Sequence, residues 1–395
     1  MAGDLQRERR IEEVVAKMSE KTTVAFAPGL EGVVATRTRL SSVDGAAGRL
    51  VIAGFSVEEL AGRASFEETL YLLWNGVLPD RVQLSVLGRD LAARRALPKV
   101  AVEVLEAATA GRVPPMDALR MASGTLGLGN GDDRDNALRL VAAFPTIVAA
   151  YWRLWQGHEP VEPDPKLTHA ANYLYMLSGG IPSTERVRAL ETYLNTVSDH
   201  GMNASTFAAR VIVSTRSDFV SAVVGAVGAL KGPLHGGAPG PALDVVFEIR
   251  EAFRAESYLR AKLDRGERLM GFGHRVYKVR DPRADVLAAA AERLYASDAD
   301  RNLYRLALGV EKTALKLLKE YKPEHNLDTN VEFYTALLMH GLGLPTELFT
   351  PTFAVGRVAG WTAHCFEQRD LDRLIRPLSE YVGADDRTWA LLEER

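Results

Sequence analysis

From Ser56 to Arg369 the sequence is an almost unbroken series of segments whose apolar residues recur at three- and four-residue spacing, each closed by glycine, proline or a polar turn. Such a text fits neither a parallel sheet with helical crossovers nor a sandwich, because no βαβ alternation and no internal repeat runs through it. It predicts an all-α protein of more than a dozen helices. Among them are Ser65–Trp74, started by a capping box in which Glu68 follows Ser65 by three, Arg81–Arg95, Lys99–Ala110 and Asn136–Trp155. Later come Phe219–Leu230, Ala242–Ala255, Leu303–Tyr321, Glu332–His340 and Thr352–Arg369. A short helix over residues 11–18 carries Ile11, Val14, Val15 and Met18 on one face. The strand signals are confined to Val24–Arg39 and Arg49–Phe55, enough for one or two small hairpins near the N-terminus. In Phe219–Leu230 the small residues Ala222, Gly225, Ala226 and Ala229 predict that another helix packs closely on this one.

Composition then removes several classes of function. With 48 basic and 51 acidic residues, the formal net charge of -3 gives no global case for nucleic-acid binding, so any anion must be held locally. The one cysteine, Cys365, excludes an internal disulfide and a cysteine-rich metal site, and reads as a buried thiol in a reducing cytoplasm. The N-terminus lacks an apolar signal core and contains acidic residues, so the protein is expected to stay in the cytoplasm. The longest apolar run, Leu140–Trp152, is shorter than the roughly 20 residues that span a bilayer and contains Pro145. No membrane association is expected.

Four stretches depart from ordinary helical text. Leu269–Asp285, LMGFGHRVYKVRDPRAD, sets His274 between Gly273 and Arg275, with Lys278, Arg280 and Arg283 following. One titratable ring among several cations, on glycines that admit close approach, suits a polyanionic small molecule; a solvated basic loop would read similarly. Gly232–Gly240, GPLHGGAPG, forces an irregular loop around His235 whose main-chain N–H groups could meet a phosphate or a polarised carbonyl, or could serve only as a hinge. Asp199–Thr206, DHGMNAST, places His200, Asn203 and Ser205 between two helices, where Asn203 or Ser205 also reads as a helix cap. In Asp328–Tyr334, DTNVEFY, Glu332 falls in the first turn of a helix, where the dipole would favour its ionised form and ready it as a base. No dinucleotide fingerprint, P-loop, H-E-x-x-H or G-x-S-x-G is present, so no metal and no cofactor is expected.

GPLHGGAP, MGFGHRVYKVRDPRA and NVEFY, in that order, resemble the citrate synthase family, and the resemblance extends through SFEETLYLLWNGVLP, DHGMNAST, GRVAGWTAHCFEQ and IRPLSEYVG. Only about the first twenty residues carry no such signal. The resemblance implies condensation of acetyl-CoA with oxaloacetate and hydrolysis of the resulting citryl thioester, with the CoA thioester as a substrate and no cofactor. It implies that His235 donates to the thioester carbonyl, that His274 bonds and protonates the ketone of oxaloacetate, and that Glu332 removes the methyl proton. It further implies His200, Arg283, Arg357 and, from a second subunit, Arg376 on the oxaloacetate carboxylates, Asn203 in support, and Gly236, Gly237 and Lys278 toward CoA. Arg275 and Arg280 receive no role.

The same resemblance implies a large helical domain formed by residues 1–231 and 331–395, a small helical domain inserted over 232–330, a site in the cleft between them, and a homodimer completed by Arg376. This sequence departs from the family at Glu332, where the usual residue is aspartate. One added methylene displaces a carboxylate by about 1.5 Å on an unchanged backbone, and misplacement of about 1 Å can cost about a hundredfold in rate. Two alternatives follow: a 2-methylcitrate synthase using propionyl-CoA, and a weakly active or inactive member that senses CoA esters or oxaloacetate.

Overall fold

The structure is a computed structural model that describes residues 26–127, 131–236, 240–273, 277, 279–297 and 300–395. The helix expected over residues 11–18 lies outside the described residues. The chain divides into two units at Thr38 and Arg39. In the first, residues 26–38 hold a 3-10 turn at Pro28–Leu30 and no strand among the described residues, so the hairpin signal of Val24–Arg39 is not realised there.

The second unit opens with an antiparallel meander: β1 Ser41–Asp44, β2 Arg49–Ile52 and β3 Phe55–Ser56, with Ser41 opposite Ile52 and Ile52 opposite Phe55. Leu50 and Ile52 face inward and are fully buried, which fixes the register against a one-residue slip. Helices follow without interruption: α1 Val57–Ala61, α2 Phe66–Asn75, α3 Arg81–Ala92, α4 Lys99–Ala110, α5 Pro115–Gly124, α6 Asp133–Trp155, α7 His169–Ser178, α8 Thr184–Thr196, α9 Ala204–Ser214 and α10 Phe219–Leu230. Beyond the glycine-rich loop come α11 Gly240–Ile249, α12 Ala255–Asp264, α13 Pro282–Ser297, α14 Arg301–Tyr321, α15 Val331–Gly341 and α16 Phe349–Leu371. The all-α reading holds, and so does the capping box: Ser65 N–H donates to Glu68 Oε2 at 2.7 Å while Glu68 N–H donates to Ser65 Oγ at 3.2 Å.

Three expectations are refined. α3 stops at Ala92, three residues early, and Arg94 turns aside to pair with Asp135 at 2.9 Å. The helix expected over Ala242–Ala255 ends at Ile249, before Arg250, whose φ of 61° is left-handed, and a 3-10 turn at Ala252–Arg254 leads into the helix that follows. α6 runs 23 residues, longer than its apolar run, and is long and apolar enough to cross a membrane; 78% of its apolar window is buried inside the protein, which makes it a core helix here. Pro145 sits fully inside it.

α16 is the other central helix. It packs on α2, α6, α8, α9 and α10, and Val355, Val358, Trp361 and Cys365 along it are fully buried. α9 and α10 lie closely together, and a Cβ at Gly225 would run into the Ile212 side chain, so the small-residue stripe does serve helix packing. α13 packs on α8, α15 and α1, while α12 packs on α14. After Asp372, whose φ of 44° ends α16, the chain runs without helix or strand to Leu391 and exposes Leu374, Leu378, Tyr381, Val382 and Trp389.

Candidate active site

The site is assembled where three irregular segments meet buried helix ends. The first segment is moulded onto α16: Gly356 and Gly360 lie one turn apart, and a Cβ at Gly356 would stand 2.7 Å from Val197 while one at Gly360 would collide with Ser198 O. Residues 197–201 therefore lie directly on the helix backbone. Arg357, 2% exposed, donates Nε–H to Val197 O at 2.6 Å and stacks on Phe353 at 4.6 Å. Its terminal nitrogens have no hydrogen-bond partner among the described residues. Burial, with Arg283 as a nearby second cation, lowers its pKa to about 10, and Asp199 and Tyr193 work the other way.

The second segment, the loop after α10, is turned by His235 N–H donating to Gly232 O. Gly236 is required for close approach, since a Cβ there would meet Leu230 O and Thr350, whose hydroxyl donates to Gly236 O at 3.1 Å. His235 Nε2 lies 2.8 Å from Ser205 Oγ. Ser205 Oγ also accepts from Trp361 Nε1–H at 3.1 Å and lies 2.8 Å from Asn203 Oδ1, which caps α9 by accepting from Thr206 N–H. Burial, then the charge of Arg357, lowers the His235 pKa to about 4, so the imidazole is neutral near pH 7.

The third segment joins two of the sequence motifs directly. Phe272 and Thr329 form an isolated antiparallel bridge; Gly273 N–H donates to Asp328 O, Asn330 N–H to Gly271 O, and Asn330 Nδ2 to Gly273 O, at 2.7, 3.0 and 2.7 Å. Gly271 and Gly273, with φ of 90° and 78°, adopt the left-handed backbone that this zipper needs. Asn330 Oδ1 accepts from Glu332 N–H at 2.9 Å and so fixes the first turn of α15. Burial raises the Glu332 pKa, Arg283 opposes the rise and Asp281 adds to it. The helix N-terminus was expected to dominate; burial does instead, and it makes the carboxylate a stronger base than a solvated glutamate.

Between these segments, Arg283 is buried and pairs with Asp281 at 2.8 Å; burial disfavours its charge and Asp281 more than restores it. Tyr277 lies under Arg283 at 5.6 Å and its hydroxyl is 3.0 Å from His200 Nε2. Two buried guanidiniums, a neutral imidazole and a half-buried carboxylate thus lie close enough for their charges to interact. That arrangement suits a small molecule bearing more than one carboxylate, with a base and a hydrogen-bond donor nearby. Among the described residues, no group of three or more His, Cys, Asp or Glu side chains is placed to hold a metal ion.

The sequence profile described as "Citrate synthase, C-terminal domain" matches residues 29–378. The chain belongs to the citrate synthase family. It is 43% identical over 375 residues to citrate synthase 2 of Bacillus subtilis (strain 168), covering 93% of this chain and 98% of that relative. It is 39% identical over 373 residues to 2-methylcitrate synthase of Shewanella oneidensis, with 91% and 95% covered. Among solved structures, the ternary complex of carboxymethyl coenzyme A and oxaloacetate with citrate synthase of Thermoplasma acidophilum superposes with a TM-score of 0.82 at 30% identity, covering 94% of this chain and 100% of that one. The chain is accordingly an acyltransferase of citrate synthase type.

Of the residues read from the sequence, His235, Asn203, His200, Arg283, Arg357 and Glu332 are drawn together by the contacts and charge interactions above, with Gly236 turning the loop beneath His235. His274, Gly237 and Lys278 lie outside the described residues, as does Arg275. Arg376 is exposed on the segment after α16. Arg280, left without a role by the sequence, ties Asp285, Glu311 and Asp328 together at 2.6, 3.1 and 3.4 Å and so anchors the zipper rather than the ligand. Sequence reasoning gave Tyr277 and Trp361 no role and read Asp281 only as part of a turn before Pro282, although all three stand inside the motifs; a tyrosine beside a lysine or a tryptophan within a helix carries no site signal of its own.

Proposed function

We propose that this enzyme condenses acetyl-CoA with oxaloacetate and hydrolyses the citryl thioester to citrate and CoA. The observation that carries the reading is the charge coupling that links the buried Arg283 and Arg357 to each other, Arg357 to the neutral His235 and Arg283 to the half-buried Glu332. Glu332 accepts a proton from the methyl carbon of the thioester as His235 donates a hydrogen bond to the developing enolate oxygen. Neither step suffices alone, because the methyl proton is very weakly acidic and its removal must be matched by a donor at the oxyanion. The enolate carbon then bonds to the ketone carbon of oxaloacetate, and the ketone oxygen takes its proton from His274. Water finally cleaves the acyl carbon–sulfur bond, leaving a carboxylate and the CoA thiol.

Ser205 bears on which ring nitrogen of His235 donates. The indole N–H of Trp361 can only donate, so Ser205 Oγ accepts it and keeps one proton to give, either to Asn203 Oδ1 or to His235 Nε2. The Asn203 contact uses that proton, since an amide oxygen can only accept; turned to Nε2 instead, it leaves the single ring proton of the neutral imidazole on Nδ1 for the thioester oxygen.

His200, Arg283 and Arg357 hold the oxaloacetate carboxylates, with Asn203 supporting the loop, and Gly236, Gly237 and Lys278 lie toward CoA. Residues 232–330 act as a small domain that closes on the remainder, excluding water during condensation. Arg376 completes the site of a second copy in a homodimer; the extended segment that carries it exposes Leu374, Leu378 and Tyr381, apolar surface that a partner subunit would cover. The protein acts in the cytoplasm, in keeping with a single buried Cys365.

Two relatives of similar identity differ in name between citrate and 2-methylcitrate synthase, and one methyl group in a pocket is worth only about 1 to 3 kcal/mol. Steady-state kcat/KM with acetyl-CoA and propionyl-CoA against saturating oxaloacetate decides between them. We expect acetyl-CoA to be preferred by about 10-fold or more; a preference for propionyl-CoA assigns the second activity.

A further inference from the structure

Behind the liganding residues lies a fully buried chain of polar side chains that the condensation itself does not use. Asp199, His364 and Arg210 are each 0% exposed. His364 Nε2 is 3.1 Å from Asp199 Oδ1, and Arg210 Nη1 is 3.1 Å from His364 Nδ1. Arg210 is held in turn by Glu367 Oε2 at 2.6 Å and Gln368 Oε1 at 3.0 Å. On the other side, Ser41 Oγ–H donates to Asp199 Oδ2 at 2.5 Å and accepts Gly201 N–H at 2.7 Å.

The direction of this chain follows from one fact: a guanidinium has donors and no acceptor. His364 Nδ1 must therefore accept from Arg210, and the ring donates from Nε2 to Asp199. Burial opposes the Asp199 charge, yet the electrostatic pull of His364, the hydrogen bonds from His364 and Ser41 and the field of Arg357 more than offset it, and the carboxyl stays below its ordinary range. The same segment therefore serves Arg357 twice, through Val197 O on its Nε and through the Asp199 charge, which counters the repulsion between Arg357 and Arg283.

We infer that Asp199 and His364 are positioning residues for oxaloacetate: through a hydrogen-bond chain of fixed polarity they orient Arg357 and the loop bearing His200 without touching the ligand. This rests on the proposed reading of Arg357 and His200 as carboxylate-binding groups. Among the described residues, Ser41, Asp199 and His364 make no hydrogen bond to the glycine loop of His235, so the effect falls first on oxaloacetate.

The test is oxaloacetate affinity by calorimetry, with KM for oxaloacetate and for acetyl-CoA, in the full-length wild type and in Asp199→Asn, His364→Leu, His364→Gln and Ser41→Ala, each checked for melting temperature. Asp199→Asn and His364→Leu should weaken oxaloacetate by about 10- to 100-fold, the usual worth of partners that orient a ligand-holding group, with acetyl-CoA KM within about twofold. His364→Gln should recover most of this, because its Oε1 can accept from Arg210 and its Nε2 can donate to Asp199. Ser41→Ala, at the partly exposed end, should fold even if the others do not and weaken oxaloacetate by about 2- to 10-fold. Equal changes in both substrates, or a His364→Gln no better than His364→Leu, would overturn the inference. A wild type that binds oxaloacetate without releasing CoA overturns the proposed activity alone, and the variants still report on the positioning; a wild type that does not bind it overturns both.

Discussion

Glu332→Gln lowers kcat for oxaloacetate-dependent CoA release by about 10²- to 10⁴-fold, the range a positioned general base contributes, and leaves oxaloacetate affinity within a few-fold. The amide keeps the size of the side chain and its place in the first turn of α15, where Asn330 holds the backbone, but it cannot accept the methyl proton. Burial already raises the Glu332 pKa, so the carboxylate is a better base than its solvated counterpart and its loss is correspondingly costly. Single-turnover release of CoA thiol measures this. Equal rates in wild type and Glu332→Gln would remove Glu332 from the mechanism. Glu332→Asp tests the added methylene: because the zipper of residues 271–273 with 328–330 sets the backbone, shortening the side chain should lower the rate in this scaffold.

His235→Ala should lower kcat by about 10²- to 10³-fold, the effect of removing one oxyanion donor, and should do so without shifting the oxaloacetate KM. The sign of its pH dependence is fixed by burial. A histidine held near 4 stays neutral from the ordinary histidine range, about 6.5, upward and well below it. The acid limb contributed by His235 therefore lies near pH 4, and no loss assignable to it should appear between pH 8 and about pH 5. A rate that falls through pH 6.5 in wild type and not in His235→Gln would place a cationic imidazole in the mechanism instead.

The helical class was legible because amphipathic spacing and caps are local, and helices such as α4 and α10 end where periodicity and a terminating residue coincide. Where the sequence misled, a non-local or single-residue conformation decided. Arg250 takes a left-handed φ that no residue-type signal announces, and the ends of α3 answer to Asp135, far along the chain. Motif residues were readable as types, yet their grouping was not: nothing in DHGMNAST says that Ser205 meets His235, or that Asp199 turns away from the site toward His364. The raised pKa of Glu332 was likewise invisible, since the helix dipole can be read from sequence and burial cannot.

The central claim is a carbon–carbon condensation driven by a base and an oxyanion donor beside an oxaloacetate pocket. It is tested most directly by incubating the wild-type enzyme with acetyl-CoA, with and without oxaloacetate, and following CoA thiol and citrate together. The account predicts one citrate and one thiol for each oxaloacetate consumed, and no thiol release in its absence. Thiol release that does not depend on oxaloacetate, or oxaloacetate bound with neither product formed, would contradict it.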